Sequence, residues 1–68
     1  MPILLKILRE ERQWSQSELA RRSGIHASTI SLIESGRLRP YEVQVAKIAE
    51  AFGMAKHEVA KLIASEGD

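Results

Sequence analysis

The chain has 68 residues, with ten lysines and arginines against nine aspartates and glutamates, no cysteine, and 44% hydrophobic residues. This length supports one small domain with a thin core, since a chain of this size hides only about 60% of its unfolded surface. An enzyme that closes an active-site cleft around two substrates is therefore not expected. The absence of cysteine excludes a disulfide framework and a thiolate metal site.

The longest apolar run, Ile3-Leu4-Leu5, is far shorter than a membrane span. The N-terminus has neither the basic segment nor the long apolar core of a signal peptide. Together with the lack of cysteine, these features predict a cytoplasmic protein.

Charge is distributed unevenly along the chain. Residues 1–40 hold seven basic and four acidic residues, whereas residues 41–68 hold three basic and five acidic ones. The basic portion indicates a surface that faces a polyanion. An ordinary solvated surface with a chance asymmetry accounts for the same numbers. Charge alone therefore does not distinguish a polyanion-binding surface from an ordinary one.

Helical periodicity runs through nearly the whole chain, and no segment alternates as a strand does. The pattern predicts an all-α domain of five short helices, at residues 3–12, 16–22, 26–34, 42–52 and 56–64. Ser15 and Glu18 have the spacing of a capping box, in which the hydroxyl accepts an N–H and the carboxylate reaches back. Trp14 is expected to pack between the first two helices.

Residues 16–35, QSELARRSGIHASTISLIES, contain two of these helices and the turn between them. The small Ala20 lets the helices cross closely, Gly24 permits the sharp turn, and isoleucines hold the third helix across the second. The outer side of the third helix is then free to enter a major groove. Such a pair is weak evidence by itself, because many helical bundles contain one.

The longer segment LKILREERQWSQSELARRSGIHASTISLIESGRLRP, followed by the fourth helix and FGM, resembles the Cro/repressor-type (XRE-type) helix-turn-helix family. The resemblance extends over about residues 5–62. It implies a five-helix, lambda-repressor-like DNA-binding domain over residues 1–68, with the motif at residues 16–35. In that family the third helix lies in the major groove of double-stranded DNA, and dimers meet half-sites one helical turn apart.

The resemblance also implies roles for single residues. Gln16 matches a glutamine that contacts phosphate and braces the third helix, while Arg9 and Glu34 match a buried ion pair. The candidates for base contacts are His26, Ala27, Ser28 and Leu32. The candidates for phosphate contacts are Gln16, Ser35, Arg37 and Arg39, the last three in a loop whose backbone N–H groups and basic side chains meet phosphate.

Two departures from the family pattern are informative. Gln13 stands where glycine is common, which predicts a strained or altered turn after the first helix. The outer side of the third helix has no Arg, Asn or Gln for bidentate base contacts. Leu32 and Ala27 can contact thymine methyl groups, and Ser28 can serve either type of base. We therefore expect specificity to depend on DNA shape, water and dimer spacing.

Dimerisation is expected through the C-terminal helix, with Val59, Leu62 and Ile63 as candidate contacts. The alternative is that these residues pack against the first helix within one domain. A single domain is also not expected to bury Ile3 and Ile7 fully, because they lie on the side of the first helix opposite Leu5.

These features predict a sequence-specific transcriptional regulator, a dimeric repressor that reads a palindromic operator. The alternative is a protein-interaction or antitoxin-like module that retains the fold with weak or no DNA binding. Neither hypothesis involves catalysis, a cofactor, a metal or a small-molecule ligand. His57 and Glu58 begin a zinc-protease pattern, but Lys61 stands at the second histidine position, and the serines lack a paired base.

Overall fold

Five α-helices, with no strand, make up the part of the chain that the computed structural model describes, residues 4–64. They are α1 (Leu4–Glu11), α2 (Gln16–Ser23), α3 (Ala27–Glu34), α4 (Glu42–Phe52) and α5 (Lys56–Ala64). The predicted all-α, five-helix fold is confirmed. None of the helices within residues 4–64 has the length and apolar character needed to cross a membrane.

The helix bounds differ from the prediction only in the first three helices. Position 3 of the first predicted helix lies outside the described residues, and α1 ends one residue before position 12. Helix α2 continues one residue further than predicted, to Ser23. Helix α3 begins one residue later, because His26 has ψ 142° and serves as its N-cap.

Each of the five helices contributes at least one fully buried side chain to a shared core. Helix α2 packs on α3 and α4, while α5 packs on α4 and α1. The side chains with no exposed surface are Leu5, Leu19, Ile30, Ile33, Ile48 and Val59. Because α1 and α5 are in contact, the apolar side of α5 is covered in part within the domain.

Local capping explains where α2 begins and ends. The Ser15 hydroxyl accepts the Glu18 N–H at 3.0 Å, and Gly24 closes the helix with φ 77° and an N–H donated to the Ala20 carbonyl at 2.8 Å. The predicted capping box is only half present. The Glu18 carboxylate binds Arg21 and Arg22 instead of reaching back to Ser15.

Trp14 packs against the hydrophobic core next to the end of α4. Its ring stacks on Phe52 at the end of α4, with the centroids 5.0 Å apart and the planes at 23°. The guanidinium of Arg22 lies 4.4 Å from the centroid of the Trp14 ring, and that of Arg12 lies 5.5 Å away. Trp14 therefore also contacts the end of α4, which the prediction of packing between α1 and α2 did not include.

A buried ion pair orients α3 relative to α1. Arg9 Nε donates to Glu34 Oε2 at 2.7 Å and Arg9 Nη2 donates to Glu34 Oε1 at 3.1 Å, with the two side chains 7% and 2% exposed. Arg9 Nη1 donates to the Trp14 carbonyl at 2.6 Å, and Gln16 Nε2 donates to Glu34 Oε1 at 3.1 Å. The hydrogen bonds to Glu34 raise the pKa of Arg9 above its usual value, against the opposing effect of burial.

The Arg9–Glu34 pair predicts a marked asymmetry between single and double substitutions. Arg9→Met or Glu34→Leu alone leaves a buried charge without its counterion, which costs about 3–5 kcal/mol of unfolding free energy. The double variant removes both charges and is expected to recover most of that loss. Urea unfolding monitored by helical circular dichroism measures all three variants. Losses in the single variants that simply add in the double variant would contradict this account.

Gln13 predicts a stabilising substitution. It follows α1 with φ 62°, a left-handed conformation that costs a residue with a side chain about 1–2 kcal/mol. Its side chain is exposed, so Gln13→Gly is expected to raise the unfolding free energy by about 0.5–1 kcal/mol. Thermal unfolding measures the change.

Ala46→Gly is the matched control for Gln13→Gly. Ala46 is exposed within α4, where glycine costs about 1 kcal/mol. If both glycine substitutions lower the melting temperature, the backbone of Gln13 is not strained.

Candidate nucleic-acid interface

The outer face of α3 is a row of small side chains interrupted by one leucine. Its members are exposed and consist of Ser28, Ser31, Leu32 and Ser35. The opposite side of the helix is buried through Ile30, Ile33 and Glu34. Because a core contact and an ion pair fix the inner side, the outer face has a defined orientation towards solvent.

The remaining base-contact candidates lie at the start of α3. His26 is exposed and makes no side-chain capping hydrogen bond, while Ala27 is half-buried. Ser28 lies one turn before Leu32, so these two side chains are neighbours on the surface of the helix. The structure thus brings His26, Ser28 and Leu32 to the exposed side of α3 and leaves Ala27 partly covered.

The loop after α3 carries two exposed arginines. Neither Arg37 nor Arg39 has an ion-pair or hydrogen-bond partner for its side chain among residues 4–64. This loop is where the resemblance implied contacts to phosphate. An unpaired guanidinium can bind phosphate without first breaking an internal salt bridge.

Four backbone N–H groups of this loop are engaged within the domain. The N–H groups of residues 35–38 all donate to carbonyls in the last turns of α3, at 3.0–3.2 Å. The Ser35 hydroxyl also donates, to the Leu32 carbonyl at 3.0 Å. The physical reason is that the last carbonyls of a helix have no partner within the helix, and this loop supplies their donors. Arg37 and Arg39 offer side chains that need not give up an internal partner, whereas the phosphate contact of Ser35 stays a prediction that requires its hydroxyl to leave the Leu32 carbonyl.

Gln16 is the first residue of α2 and braces α3 through its hydrogen bond to Glu34. The side-chain amide nitrogen of Gln16 carries two N–H groups, and this hydrogen bond uses one of them. The second N–H can bind a further acceptor at the surface, because Gln16 is only half-buried.

The other arginines of residues 1–40 are engaged within the domain. Arg9 is paired with Glu34, and Arg21 and Arg22 are paired with Glu18. Arg12 Nη2 donates to the Phe52 carbonyl at 3.3 Å. The hydrogen bond from Arg21, helped by that from Arg22, lowers the pKa of Glu18, so its carboxylate is charged near neutral pH.

Sequence reasoning missed the role of Arg12. Its guanidinium lies 5.3 Å from the centroid of the Phe52 ring, in addition to its contact with Trp14. Phe52 is forty positions away in the sequence, and no local motif links a basic residue to an aromatic one at such a distance. Only the fold brings these residues together.

The candidate dimer residues of α5 differ in their accessibility. Val59 has no exposed surface, so its side chain is not free to contact a second chain, and the expectation for this residue was wrong. The reason is that Val59 belongs to the core in which α5 packs on α1 and α4. Leu62 and Ile63 are half-buried and keep part of their surface.

The zinc-protease pattern gains no support from the structure. His57 is exposed on α5. Within residues 4–64, no three histidine, aspartate or glutamate side chains lie close enough together to hold a metal ion.

Comparison with known proteins places this geometry in a family. A family model described as a helix-turn-helix domain matches residues 3–62. An uncharacterised HTH-type transcriptional regulator of Mycobacterium bovis is 29% identical to the chain over 59 residues, as are two regulators of the same description from strains of Mycobacterium tuberculosis. The matched region covers 87% of this chain but 23% of each relative, so the chain spans about a quarter of their length. No solved structure matches the chain significantly. Since the family model covers most of the residues, including α2, α3 and the turn between them, the chain belongs to the helix-turn-helix domain family.

Proposed function

We propose that the chain is the sequence-specific, double-stranded DNA-binding module of a transcriptional regulator, and that it acts as a dimeric repressor on a palindromic operator. The outer face of α3 enters the major groove. Arg37, Arg39 and Gln16 contact the phosphates on either side. The observation that carries this proposal is the combination of an exposed α3 face, fixed from behind by the Arg9–Glu34 pair, with unpaired arginines at its end.

The distribution of free charge supports this orientation. Four arginines are engaged within the domain by Glu34, Glu18 and the Phe52 carbonyl, and the two carboxylates compensate half of their charge. Arg37 and Arg39 follow the C-terminal end of α3 directly, in the part of the chain that a helix in the groove brings close to the backbone of the DNA. Arg37 and Arg39 therefore place uncompensated positive charge directly beside the proposed reading helix.

Selection from a pool of randomised duplexes is the experiment that tests this function. Enrichment of a consensus with two-fold symmetry is the expected result, and a reporter with that consensus overlapping its promoter should then be transcribed less when the protein is present. If no sequence is enriched, the protein-interaction module becomes the better account. The exposed Tyr41 and Val43, 75% and 60% accessible, are apolar contacts that such a module could use.

Arg37→Ala and Arg39→Ala are expected to weaken binding to all duplex sequences by similar factors. Each removes about one phosphate contact, so each lowers the slope of the logarithm of affinity against the logarithm of salt concentration by about 1. Fluorescence anisotropy with the selected duplex and with a scrambled duplex, over a series of salt concentrations, measures both effects.

Lys61→Ala is the matched control for the two arginine variants. Lys61 is exposed on α5, which packs on α1 and α4 rather than on the helices of the motif. Its removal deletes one positive charge and should leave the salt slope unchanged. If Lys61→Ala lowers the slope as much as the arginine variants do, or the arginine variants leave it unchanged, the DNA-binding surface is misplaced.

Dimer formation is expected to require the C-terminal part of the chain, including the accessible parts of Leu62 and Ile63. Sedimentation equilibrium should show two chains on one selected palindromic duplex. The physical reason is that each domain presents a single reading helix, whereas a palindrome offers two half-sites. Only monomer at high micromolar concentration, with and without the duplex, would contradict the dimer.

A further inference from the structure

Leu32 is the one large apolar side chain on the outer face of α3. It is 42% exposed, and the other members of the face are serines. An isolated leucine on a protein surface is ordinary. Leu32, however, lies within a face that the proposed function places against the base edges and that has no amide or guanidinium to read them.

The carbonyl of Leu32 is the acceptor of three hydrogen bonds from the following loop. The donors are the Ser35 hydroxyl at 3.0 Å, the Arg37 N–H at 3.0 Å and the Leu38 N–H at 3.2 Å. Leu32 is thus the residue that joins the reading helix to the arginine-bearing loop. A phosphate bound by Arg37 would fix the position of the Leu32 side chain relative to the DNA backbone.

The neighbours of Leu32 on the outer face are short. Ser28 lies one turn earlier and Ser31 is adjacent, so the leucine methyl groups extend further from the helix than the hydroxyl groups do. Small neighbours let α3 approach the base edges closely. Leu32 would then be the side chain that reaches deepest into the groove.

The chemistry of the major groove limits what Leu32 can accept. The purine edges and the exocyclic groups of the pyrimidines are hydrogen-bond donors and acceptors, and a leucine that covers them removes water without replacing its hydrogen bonds. The exception is the methyl group at C5 of thymine. Cytosine that is methylated at C5 presents the same group at the same ring position.

We propose that Leu32 is a specificity-determining residue and that it selects duplexes with a 5-methylpyrimidine, thymine or 5-methylcytosine, opposite the middle of α3. The inference rests on the proposed function, since it requires α3 to lie in the major groove. It specifies the group on the DNA that the helix recognises, which is a single methyl group. Binding is then sensitive to methylation of cytosine at C5.

The test uses the duplex enriched by selection, with each thymine in turn replaced by deoxyuridine, which lacks only the methyl group. At the position facing Leu32, removal of the methyl should weaken binding about fourfold, as expected for the loss of one buried methyl. At the same position, a duplex with 5-methylcytosine should bind about fourfold more tightly than one with cytosine. The first arm reports on thymine and the second on methylated cytosine.

Leu32→Ala and Ile7→Ala form the matched pair of variants. Both residues are 42% exposed, but Ile7 lies on α1. Leu32→Ala should abolish the affinity ratio between methylated and unmethylated duplexes, whereas Ile7→Ala should keep it. Helical circular dichroism checks that both variants are folded.

Two results overturn the inference in different ways. If the parent protein binds the selected duplex but no thymine-to-deoxyuridine change alters its affinity, or if the effect persists in Leu32→Ala, the role of Leu32 is wrong while the proposed function stands. If selection enriches no sequence, both the proposed function and the inference fail.

Discussion

The burial of one carboxylate governs the arrangement of the domain. Glu34 is almost completely removed from water, and a carboxylate in that position needs a counterion and hydrogen-bond donors. It obtains them from Arg9 on α1 and from Gln16 at the start of α2. Since these donors come from two helices, the position of α3 is set by a polar contact with a required geometry as well as by the apolar core.

This constraint also shapes the charge that the domain presents to a partner. Residues 1–40 are basic in sequence, yet most of their arginines are engaged within the domain, by Glu34 on another helix, by Glu18 within α2, and by the aromatic pair of Trp14 and Phe52. Arg37 and Arg39, whose side chains have no ion-pair or hydrogen-bond partner among residues 4–64, remain at the end of α3. The net charge of a segment is therefore a poor measure of its attraction to DNA, because internal pairing decides which charges act outwards.

The loop after α3 is held to the helix by hydrogen bonds to the last carbonyls of α3, which have no partner within the helix. The N–H groups of residues 35–38 close the end of α3 instead of facing outwards, and two of them donate to the carbonyl of Leu32. The arginines that would contact phosphate are consequently coupled to the residue proposed to read the bases. A face of short hydroxyl side chains with one leucine has few direct hydrogen bonds to offer. Under the proposed function, its selectivity arises from shape, position and a methyl contact.

The five helices could be predicted from the sequence, because apolar periodicity, the Ser15 cap and glycines such as Gly24 are local signals that act within one or two turns. Its resemblance to a family also pointed to the Arg9–Glu34 pair and to the motif at residues 16–35. Three further features became evident from the packed fold alone: Val59 is buried in the core, the Ser35 hydroxyl donates to the Leu32 carbonyl, and Arg12 lies against Phe52. Burial, and the choice among several available hydrogen-bond partners, depend on neighbours that are distant in sequence. Local patterns show which groups need a partner, and the packed fold decides which partner each one takes.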